Sequence, residues 1–406
     1  MKKVLVIVLA LAMVFTMFAC GDNEQGQEEQ KTQVYKVGMV CIGDENEAYD
    51  RNFYMAADAA KAELAKEGIN IEWVYKYNEA VDVADYCTEL ADDGCVAVVC
   101  NSYGQEPAML TVAGDYPETI FVGSTNEGSW KDDLDNTVNA FPSIYEARYL
   151  AGIVAGCKLQ EMIDNGTIKT NEAVIGYVGA YTFAEVISGY TSFFLGARSV
   201  CPDVTMLVQF IGDWGDPKLE AQAAQDLIDK GAVLISQHSD STTPATTAEA
   251  NGVFHVGYNI DMSGADVAPN ASIISSRIDW TKYYVKLIKA AINGEKFEQD
   301  YFKHGLATDE VCLTALNTKI AAAGTQEKID AAKKGIIDGS IQVFNTDTFT
   351  VGGQKVTSCF ALDMDGDFTA DTEEAVFDGA FHESWFQSAP YFALRIDGIT
   401  LVNEAY

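Results

Sequence analysis

The sequence has few of the residues that catalytic and nucleic-acid-binding sites need. It contains four histidines in 406 residues and 27 Lys and Arg against 60 Asp and Glu, which gives a formal net charge of −33. It contains no G-x-S-x-G, G-x-x-x-x-G-K or H-E-x-x-H motif. A surface this acidic repels phosphate backbones, so nucleic acid is excluded as a partner.

The first twenty residues have the pattern of a secretion signal. Lys2 and Lys3 precede an apolar run from Val4 to Phe18 that is shorter than the roughly 20 residues needed to cross a bilayer. The run ends at Met17-Phe18-Ala19-Cys20, which resembles a bacterial lipobox, although that motif usually begins with Leu. We expect residues 1–20 to be a lipoprotein signal peptide and Cys20 to be lipidated. Ordinary cleavage near Ala19, with release of a soluble protein, is the alternative.

A polar segment follows the signal. Residues 21–32 read GDNEQGQEEQKT and contain no aromatic or branched apolar residue, so they bury too little surface to fold. We expect residues 21–34 to be a flexible tether between a membrane anchor and a folded domain.

Eight cysteines remain beyond Cys20, and none stands in a C-x-x-C or C-x-x-H pattern. A zinc site is therefore not indicated. An even number of cysteines in an exported protein leaves disulfides open, but we favour small buried apolar side chains for most of them. They are Cys41, Cys87, Cys95, Cys100, Cys157, Cys201, Cys312 and Cys359.

Short apolar runs alternate with longer helical patterns from Tyr35 onward, which predicts α/β architecture with parallel sheets covered on both faces. Two such series occur, so we expect two doubly wound, Rossmann-like lobes with a ligand cleft between them. Lobe 1 comprises residues 35–142 with part of 294–406, and lobe 2 comprises 143–280. The chain is expected to cross between the lobes near 143–160 and 276–293.

In open α/β sheets, ligands bind beyond the carboxyl ends of the strands. The segments in those positions carry aromatic rings and hydrogen-bonding groups, which suits a small, planar, polar ligand in a closing cleft. For any single residue, loop packing or helix capping is an equal alternative; Trp214, for example, could staple a helix that starts with Asp216 as N-cap and Pro217. The candidate ligand-binding residues are Asn52, Phe53, Ser102, Tyr103, Ser124, Phe183, Trp214, Asp240, Ser241, Asp261 and Trp280.

An enzyme is the rival class. His238, Ser239 and Asp240 are consecutive, but neighbours in a short loop rarely point their side chains at one another, so His238 is expected to line the cleft or face solvent rather than to form a triad. Carboxylate pairs are uninformative in so acidic a chain. No catalytic residue and no cofactor is predicted. A secreted purine or sugar hydrolase stays the alternative from the enzyme class.

The chain resembles the basic membrane protein (Med) family, the purine-nucleoside-binding lipoproteins that serve ABC importers. The resemblance extends from about Val37 to Phe344 and is most specific in YLAGIVAG and in the W-x-D-P helix start; DRNFYMAADAA, DYPETIFVGS, VIGYVGA, GYNIDM and SSRIDWTKYY also carry it. It implies a type I periplasmic-binding fold, no catalysis, and a monomer on the outer face of the cell membrane that delivers its solute to a permease and an ATPase.

The resemblance also implies residue roles. Phe53 matches the first-lobe aromatic that stacks on the base, and Asp261 matches a second-lobe acid near the sugar. Ser124 stands where many members have Asp, Asn259 replaces another acid, and residues 277–279 replace a stretch that usually supplies Lys. Because these are the groups expected to hold a ribose, a purine base competes with a purine nucleoside as the ligand. A sugar or another small polar solute is the alternative within the binding class.

Residues 363–374 approach an EF-hand calcium loop. Acidic residues occupy loop positions 1, 3, 5, 9 and 12, but Phe368 stands where the loop requires Gly, and no clear helix precedes it. We expect an acidic surface hairpin turn, with calcium as the alternative. The candidate ligands are Asp363, Asp365, Asp367, Asp371 and Glu374.

Overall fold

The computed structural model describes residues 33–79, 81–124, 134–301, 303–362 and 370–406. The fold below is that of Val34–Tyr406. The signal peptide with Cys20, most of the tether, and Asp363, Asp365 and Asp367 lie outside the described residues. No helix in the described ranges is long and apolar enough to cross a membrane.

The strands and helices alternate along the first three quarters of the chain. The strands are β1 (Val34–Val40), β2 (Asn70–Lys76), β3 (Cys95–Cys100), β4 (Ile120–Ser124), β5 (Thr137–Ala140), β6 (Val174–Gly179), β7 (Thr205–Phe210), β8 (Leu234–Gln237), β9 (Phe254–Tyr258), β10 (Ser272–Ile278), β11 (Asp300–Tyr301), β12 (Val311–Leu313), β13 (Phe360–Leu362), β14 (Ala370–Glu374), β15 (Val376–Phe377), β16 (Ala380–Phe381) and β17 (Ile399–Leu401). The helices are α1 (Ala48–Lys66), α2 (Val83–Asp92), α3 (Glu106–Ala113), α4 (Ile144–Asp164), α5 (Ala184–Val200), α6 (Pro217–Asp229), α7 (Thr243–Asn251), α8 (Thr281–Asn293) and α9 (Thr325–Ile337).

Two large sheets confirm the predicted α/β class. The first is parallel throughout, in the order β11-β5-β4-β3-β1-β2. The second has the order β12-β10-β9-β8-β6-β7-β17 and is parallel except for β12. Central strands are apolar on both faces because helices cover both sides; β4 is buried along its whole length.

The chain passes between the sheets three times: between β5 and α4, between β10 and α8, and between β11 and β12. After the second crossing, α8 packs beside the first sheet, where Tyr284 contacts Trp73 of β2 with ring centroids 5.1 Å apart. The two sheets are therefore joined by three segments of the chain, and the largest cluster of buried apolar residues includes members from both lobes, such as Val37 and Val208. The predicted lobe boundaries themselves stay a prediction.

The pairing of α4 with α5 explains the YLAGIVAG segment. A Cβ atom on Gly152 would lie 1.9 Å from the Phe193 carbonyl oxygen, and one on Gly156 would lie 2.4 Å from the Ala197 oxygen. Gly196 meets the backbone of Tyr149 in the same way, at 2.0 Å. Only glycine permits this backbone contact, so α4 is fixed against α5 and the second sheet.

The eight described cysteines form no disulfide, and six of them are buried. The sulfur atoms of Cys87 and Cys100 are 3.6 Å apart in the core of the first lobe. Glu374, the last residue of the calcium pattern, accepts hydrogen bonds from the backbone N–H of Cys359 and Val376 at 2.8 and 3.0 Å. Its carboxylate thus links the residue before β13 to the residues that follow β14. Calcium binding by residues 363–374 stays a prediction.

Candidate functional site

A cavity lies at the carboxyl ends of the strands, between the first and second sheets. Its volume is about 30 Å³, which has room for water but not for an aromatic base. Both lobes contribute to its wall. The lining residues are Ile42, Tyr49, Ser102, Tyr103, Glu185, Trp214, His238, Asp240 and Tyr258.

The lobes touch directly beside this cavity. The Asp240 N–H donates to the Trp214 carbonyl at 2.8 Å within the second lobe, and the Asp240 carbonyl accepts from the Ala48 N–H of α1 at 3.1 Å. The side chain of Asn52, also on α1, donates to the Ile278 carbonyl at 2.9 Å at the end of β10. The structure is therefore a closed form, in which the two lobes are hydrogen-bonded to each other beside the cavity.

The first-lobe wall is fixed by the end of β3. Ser102 and Tyr103 begin a short 3-10 turn, and the Ser102 N–H donates to the Gln105 side chain at 3.0 Å. The hydroxyl of Tyr49, in the first turn of α1, donates to the Asn101 carbonyl. These bonds hold two tyrosine rings at the same edge of the sheet.

An aromatic cluster made of Tyr103, Tyr181, Phe183 and Trp214 stands at one side of the cavity. Tyr181 and Phe183 stack with centroids 5.1 Å apart and an interplanar angle of 13°. Trp214 lies 5.5 Å from Tyr181 and 6.5 Å from Phe183, and Tyr103 reaches across from the first lobe to 6.5 Å from Phe183. Such faces provide stacking surface for a planar ligand.

The loop that carries Trp214 is fixed by the helix that follows it. The Asp216 carboxylate accepts from the backbone N–H of Lys218 and Leu219 at 2.8 and 3.0 Å, and Pro217 occupies the first helical position of α6. The structure confirms the predicted N-cap. Trp214 lines the cavity as well, so the capped helix start and a place in the cavity wall occur together in this loop.

His238 lines the cavity, one of the two positions expected for it. Its Nε2 lies 3.2 Å from the Glu185 carboxylate, and burial lowers the pKa of His238 to about 4, assisted by the positive charge of Arg148. The imidazole is therefore neutral at physiological pH, and its Nε2 faces the Glu185 side chain. A Cβ on Gly189 of α5 would lie 2.6 Å from the His238 Nδ1, so glycine makes room for this ring.

Arg148 of α4 is fully buried behind the cavity. Its guanidinium lies 3.5 Å from the ring centroid of Tyr258, and Nη1 donates to the Gln237 carbonyl at 2.7 Å. Nε and Nη2 have no hydrogen-bond partner among the described residues. The cation therefore supports the far face of Tyr258 and supplies positive potential beneath the site without entering it.

Several carboxyl groups lie in or close to the cavity wall. Burial raises the pKa of Asp240 well above its usual range, and Asp50, Glu220 and Glu185 add to the rise. Burial likewise raises the pKa of Asp50 to about 6; its Oδ1 accepts from Gly43 N–H and the Asn101 side chain, while Oδ2 has no partner among the described residues. The site is thus rich in hydrogen-bond acceptors.

Some predicted residues lie away from the cavity, in the core beside it. Phe53 and Trp280 are each 1% exposed and stack on each other, and Asn52 is buried next to them. Phe183 contacts the cavity wall through the aromatic cluster. The ligand contacts predicted for these residues stay predictions.

The remaining candidates are dispersed. Asp261 is exposed and accepts from its own loop, from the Ser263 N–H at 2.8 Å. The Ser241 hydroxyl donates to Glu220 and accepts from the Thr243 N–H at 3.0 Å. Ser124 ends β4 in a buried position, and residues 125–133 of the loop after it lie outside the described residues.

Sequence reasoning did not nominate Ile42, Tyr49, Glu185 or Tyr258 as ligand-binding residues. The sequence does contain a signal for Tyr258, because this residue ends an apolar strand and the ends of such strands face the cleft. Tyr49 and Glu185 stand in the first turns of helices that follow strand-end loops, and such positions face the same edge of the sheet. Within the described ranges no group of His, Cys, Asp or Glu side chains is arranged to hold a metal ion.

Comparisons with known proteins identify relatives of this chain. The family model described as ABC transporter substrate-binding protein, PnrA-like, matches residues 36–346. A purine-binding protein of Brucella abortus (strain 2308) is 31% identical over 336 residues, which cover 81% of this chain and 90% of that protein. A protein of Haloferax volcanii named as a candidate ABC transporter glucose-binding protein is 28% identical over 308 residues, covering 75% and 73%.

Solved structures share the fold. A solute-binding protein of an ABC transporter system from Aeropyrum pernix K1 superimposes with a TM-score of 0.61 at 16% identity, covering 76% of this chain and 93% of its own. One from Conexibacter woesei gives 0.58 at 20% identity, covering 76% and 98%. Since the family model spans most of the residues that form both sheets, the chain belongs to the PnrA-like family of ABC transporter substrate-binding proteins, which bind solutes outside the cytoplasm and are not enzymes.

Proposed function

We propose that this protein binds a purine base or purine nucleoside in the cavity between its lobes and presents it to an ABC importer. The observation that carries the proposal is the pairing of an aromatic cluster with the Asp240 carboxyl group, which has no hydrogen-bond partner among the described residues. Rings of Tyr103, Phe183 and Trp214 offer flat apolar surface, and the Asp240 carboxyl lies beside them. A purine is planar and carries ring and exocyclic N–H donors.

The electrostatics favour a donor-rich, uncharged or cationic solute. Glu185 and Asp240 line the cavity, whereas no Lys or Arg is among its described lining residues. No described residue donates a hydrogen bond to the Asp240 side chain, so a ligand N–H or O–H would supply the missing partner and offset the cost of its burial. A phosphorylated nucleotide would instead face repulsion, which favours base or nucleoside over nucleotide.

The 31% identical relative is named as a purine-binding protein, which supports the purine assignment. A hexose is the second candidate, because the Haloferax relative is named for glucose and because aromatic faces with carboxylates also suit sugar hydroxyls. The aromatic cluster gives a base more stacking area than a sugar ring. We therefore place the purine first.

The closed geometry defines the binding cycle. Because the cavity is too small for a base, the ligand must enter while the contacts between Asp240 and Ala48 are open, and closure then buries it. The three crossings between the sheets are the natural hinges. A closed, loaded receptor presents a different surface from an open one, which allows the permease to distinguish them.

We further propose that Cys20 carries the lipid that holds the receptor at the membrane. The tether of residues 21–34 is too polar to bind a bilayer by itself. Cys20→Ser should therefore move the protein from the membrane fraction to the medium or leave the precursor unprocessed. Wild-type protein found only in the culture medium would refute the anchor and leave the ligand assignment untouched.

The ligand is tested by thermal unfolding with adenine, hypoxanthine, xanthine, adenosine, guanosine, inosine and glucose. A ligand at a hundredfold excess over its Kd stabilises the native state by about 2.7 kcal/mol, which raises Tm measurably. We expect a shift with one or more purines, confirmed by mass spectrometry of small molecules released from denatured protein. A rise in Tm with glucose and none with any purine would show that the ligand is a hexose and not a purine.

A further inference from the structure

The last residues of the chain contact two loops that border the cavity. They lie outside the region that the family model matches. The family model ends at residue 346, and residues 347–406 follow it. Near the end of this segment β17 adds a parallel strand to β7, with Ile399 opposite Met206 and Leu401 opposite Val208. The added strand runs toward the same carboxyl edge at which the cavity lies.

Asn403 continues this pairing with its side chain. Its Oδ1 accepts from the Phe210 N–H at 2.8 Å, and its Nδ2 donates to the Phe210 carbonyl at 2.8 Å. The amide thus reproduces both hydrogen bonds of a strand neighbour at the last residue of β7. The loop from residue 211 to Trp214 starts directly after this clamp.

Ala405 makes a second reciprocal pair, with the loop between β6 and α5. The Thr182 N–H donates to the Ala405 carbonyl at 2.7 Å, and the Ala405 N–H donates to the Thr182 hydroxyl oxygen at 2.8 Å. Thr182 is buried and Ala405 is half-buried, so these bonds are partly shielded from water. The Ala405 methyl also lies 3.6 Å from the position a Cβ would take on Gly212.

The two clamped loops carry part of the second-lobe wall of the cavity. Thr182 stands between Tyr181 and Phe183, whose rings stack on each other and contact Trp214. Glu185, which lines the cavity, follows in the first turn of α5. Neither Asn403 nor Ala405 lines the cavity, so both act through the loops that they hold.

We propose that residues 403–405, the C-terminal brace, position the Tyr181–Phe183 and Trp214 loops and thereby set the affinity of the site for its aromatic ligand. Asn403 and Thr182 are positioning residues, not ligand contacts. An ion pair between Arg395 and Glu404 also holds the brace, with 2.9 Å between the nitrogen and oxygen atoms. The inference rests on the proposed function only for the identity of the ligand.

The test uses the full chain with single substitutions. Thr182→Val removes the hydroxyl acceptor and keeps the side-chain shape, and Asn403→Ala removes both bonds to Phe210. Thr182→Ser keeps the hydroxyl and should restore wild-type behaviour. Tyr406→Ala is the matched control, because this terminal side chain is 78% exposed and lies one residue beyond the brace.

Two measurements separate positioning from general stability. Amide hydrogen exchange on the ligand-free protein should rise for peptides covering residues 181–185 and 211–215 in Thr182→Val and Asn403→Ala, but not in peptides of the first lobe. The Kd for the purine that stabilises the wild type should rise about threefold to tenfold in both variants, the effect that losing a typical intramolecular hydrogen bond has on an equilibrium constant. Thr182→Ser and Tyr406→Ala should leave both unchanged.

Unchanged exchange in the two loops would overturn the brace, whatever ligand the protein binds. Faster exchange with an unchanged Kd would also overturn it, since the loops would then be held without consequence for binding. If the wild type binds no purine but binds glucose, the proposed function fails, and the same variants measured with glucose still decide whether the brace positions the site.

Discussion

Phe53 of α1 stacks on Trp280, with ring centroids 5.0 Å apart and an interplanar angle of 24°. Trp280 lies in the second crossing, between β10 and α8, so this pair joins α1 to a segment that links the two sheets. Tyr49 closes the other side of Phe53 at 5.0 Å, edge to face. The first-lobe aromatic that the family resemblance assigns to the base is therefore enclosed by protein rings in the closed form.

The enclosure predicts a stability role for Phe53. Phe53→Ala should lower the stability of the ligand-free protein by about 3–5 kcal/mol, because a buried ring is replaced by a cavity. Phe360→Ala is the control, since that side chain is 48% exposed. Denaturant unfolding measures both. An unchanged midpoint for Phe53→Ala, combined with weaker purine binding, would show that Phe53 stacks on the ligand and does not stabilise the fold.

Asp240 is expected to be the acidic residue that matters most for binding. Asp240→Asn should weaken purine binding by about 1–3 kcal/mol, roughly 5- to 150-fold in Kd, because a carboxyl oxygen that faces a ligand donor is replaced by an N–H group that cannot accept its hydrogen bond. Titration calorimetry gives the constants. Asp261→Asn provides the comparison: the family resemblance predicts a similar loss, whereas its exposed position outside the cavity predicts little change. An unaffected Kd for Asp240→Asn with a large loss of affinity for Asp261→Asn would show that Asp261, and not Asp240, is the acidic residue that binds the ligand.

His304 and Glu310 predict a pH dependence of stability near the third crossing. Burial lowers the pKa of His304, but hydrogen bonds to Glu298 and Glu310 outweigh it and raise the pKa to about 9. Burial raises the pKa of Glu310, but hydrogen bonds to His304 and Lys286 outweigh it and lower the pKa to about 2.

The signs of these shifts define the window. His304 stabilises fully below its unfolded pKa, about 6.5, and this stabilisation disappears as pH rises through 9. Glu310 stabilises above about 4.5, and its contribution disappears as pH falls through 2. His304→Gln should therefore lower Tm more at pH 6 than at pH 10. An equal Tm difference at both values would show that the imidazolium charge contributes nothing.

The α4–α5 contact predicts a severe effect of a single methyl group. Gly152→Ala places a Cβ against the Phe193 carbonyl, and separating two helix backbones should cost about 1–3 kcal/mol or prevent folding. Gly104→Ala is the matched control, because a Cβ there meets nothing within 4 Å. Soluble yield and thermal midpoint measure the difference. Equal stability of the two variants would mean that the helices separate without penalty.

Short strands and distant partners explain what sequence reasoning missed in the fold. Eight strands, β1 to β4 and β6 to β9, follow from continuous apolar runs, which only a sheet covered on both faces requires. β5 is four residues long and contains Asn139, and β11, β12 and β17 have two or three residues each. Such segments become strands because an existing sheet edge pairs with them, not because of their own composition.

The sequence by itself determined the α/β class, the edge of the sheets at which the site lies, and the family, because periodicity and strand-end loops are local properties of the chain. Which side chains line the cavity was decided only by the tertiary structure. Phe53 and Tyr49 stand one helical turn apart on α1, yet the position of Trp280 covers one and leaves the other facing the cavity. Likewise, Ala405 meets Thr182 across more than 200 residues, and no local pattern records a contact that depends on where two loops arrive in space.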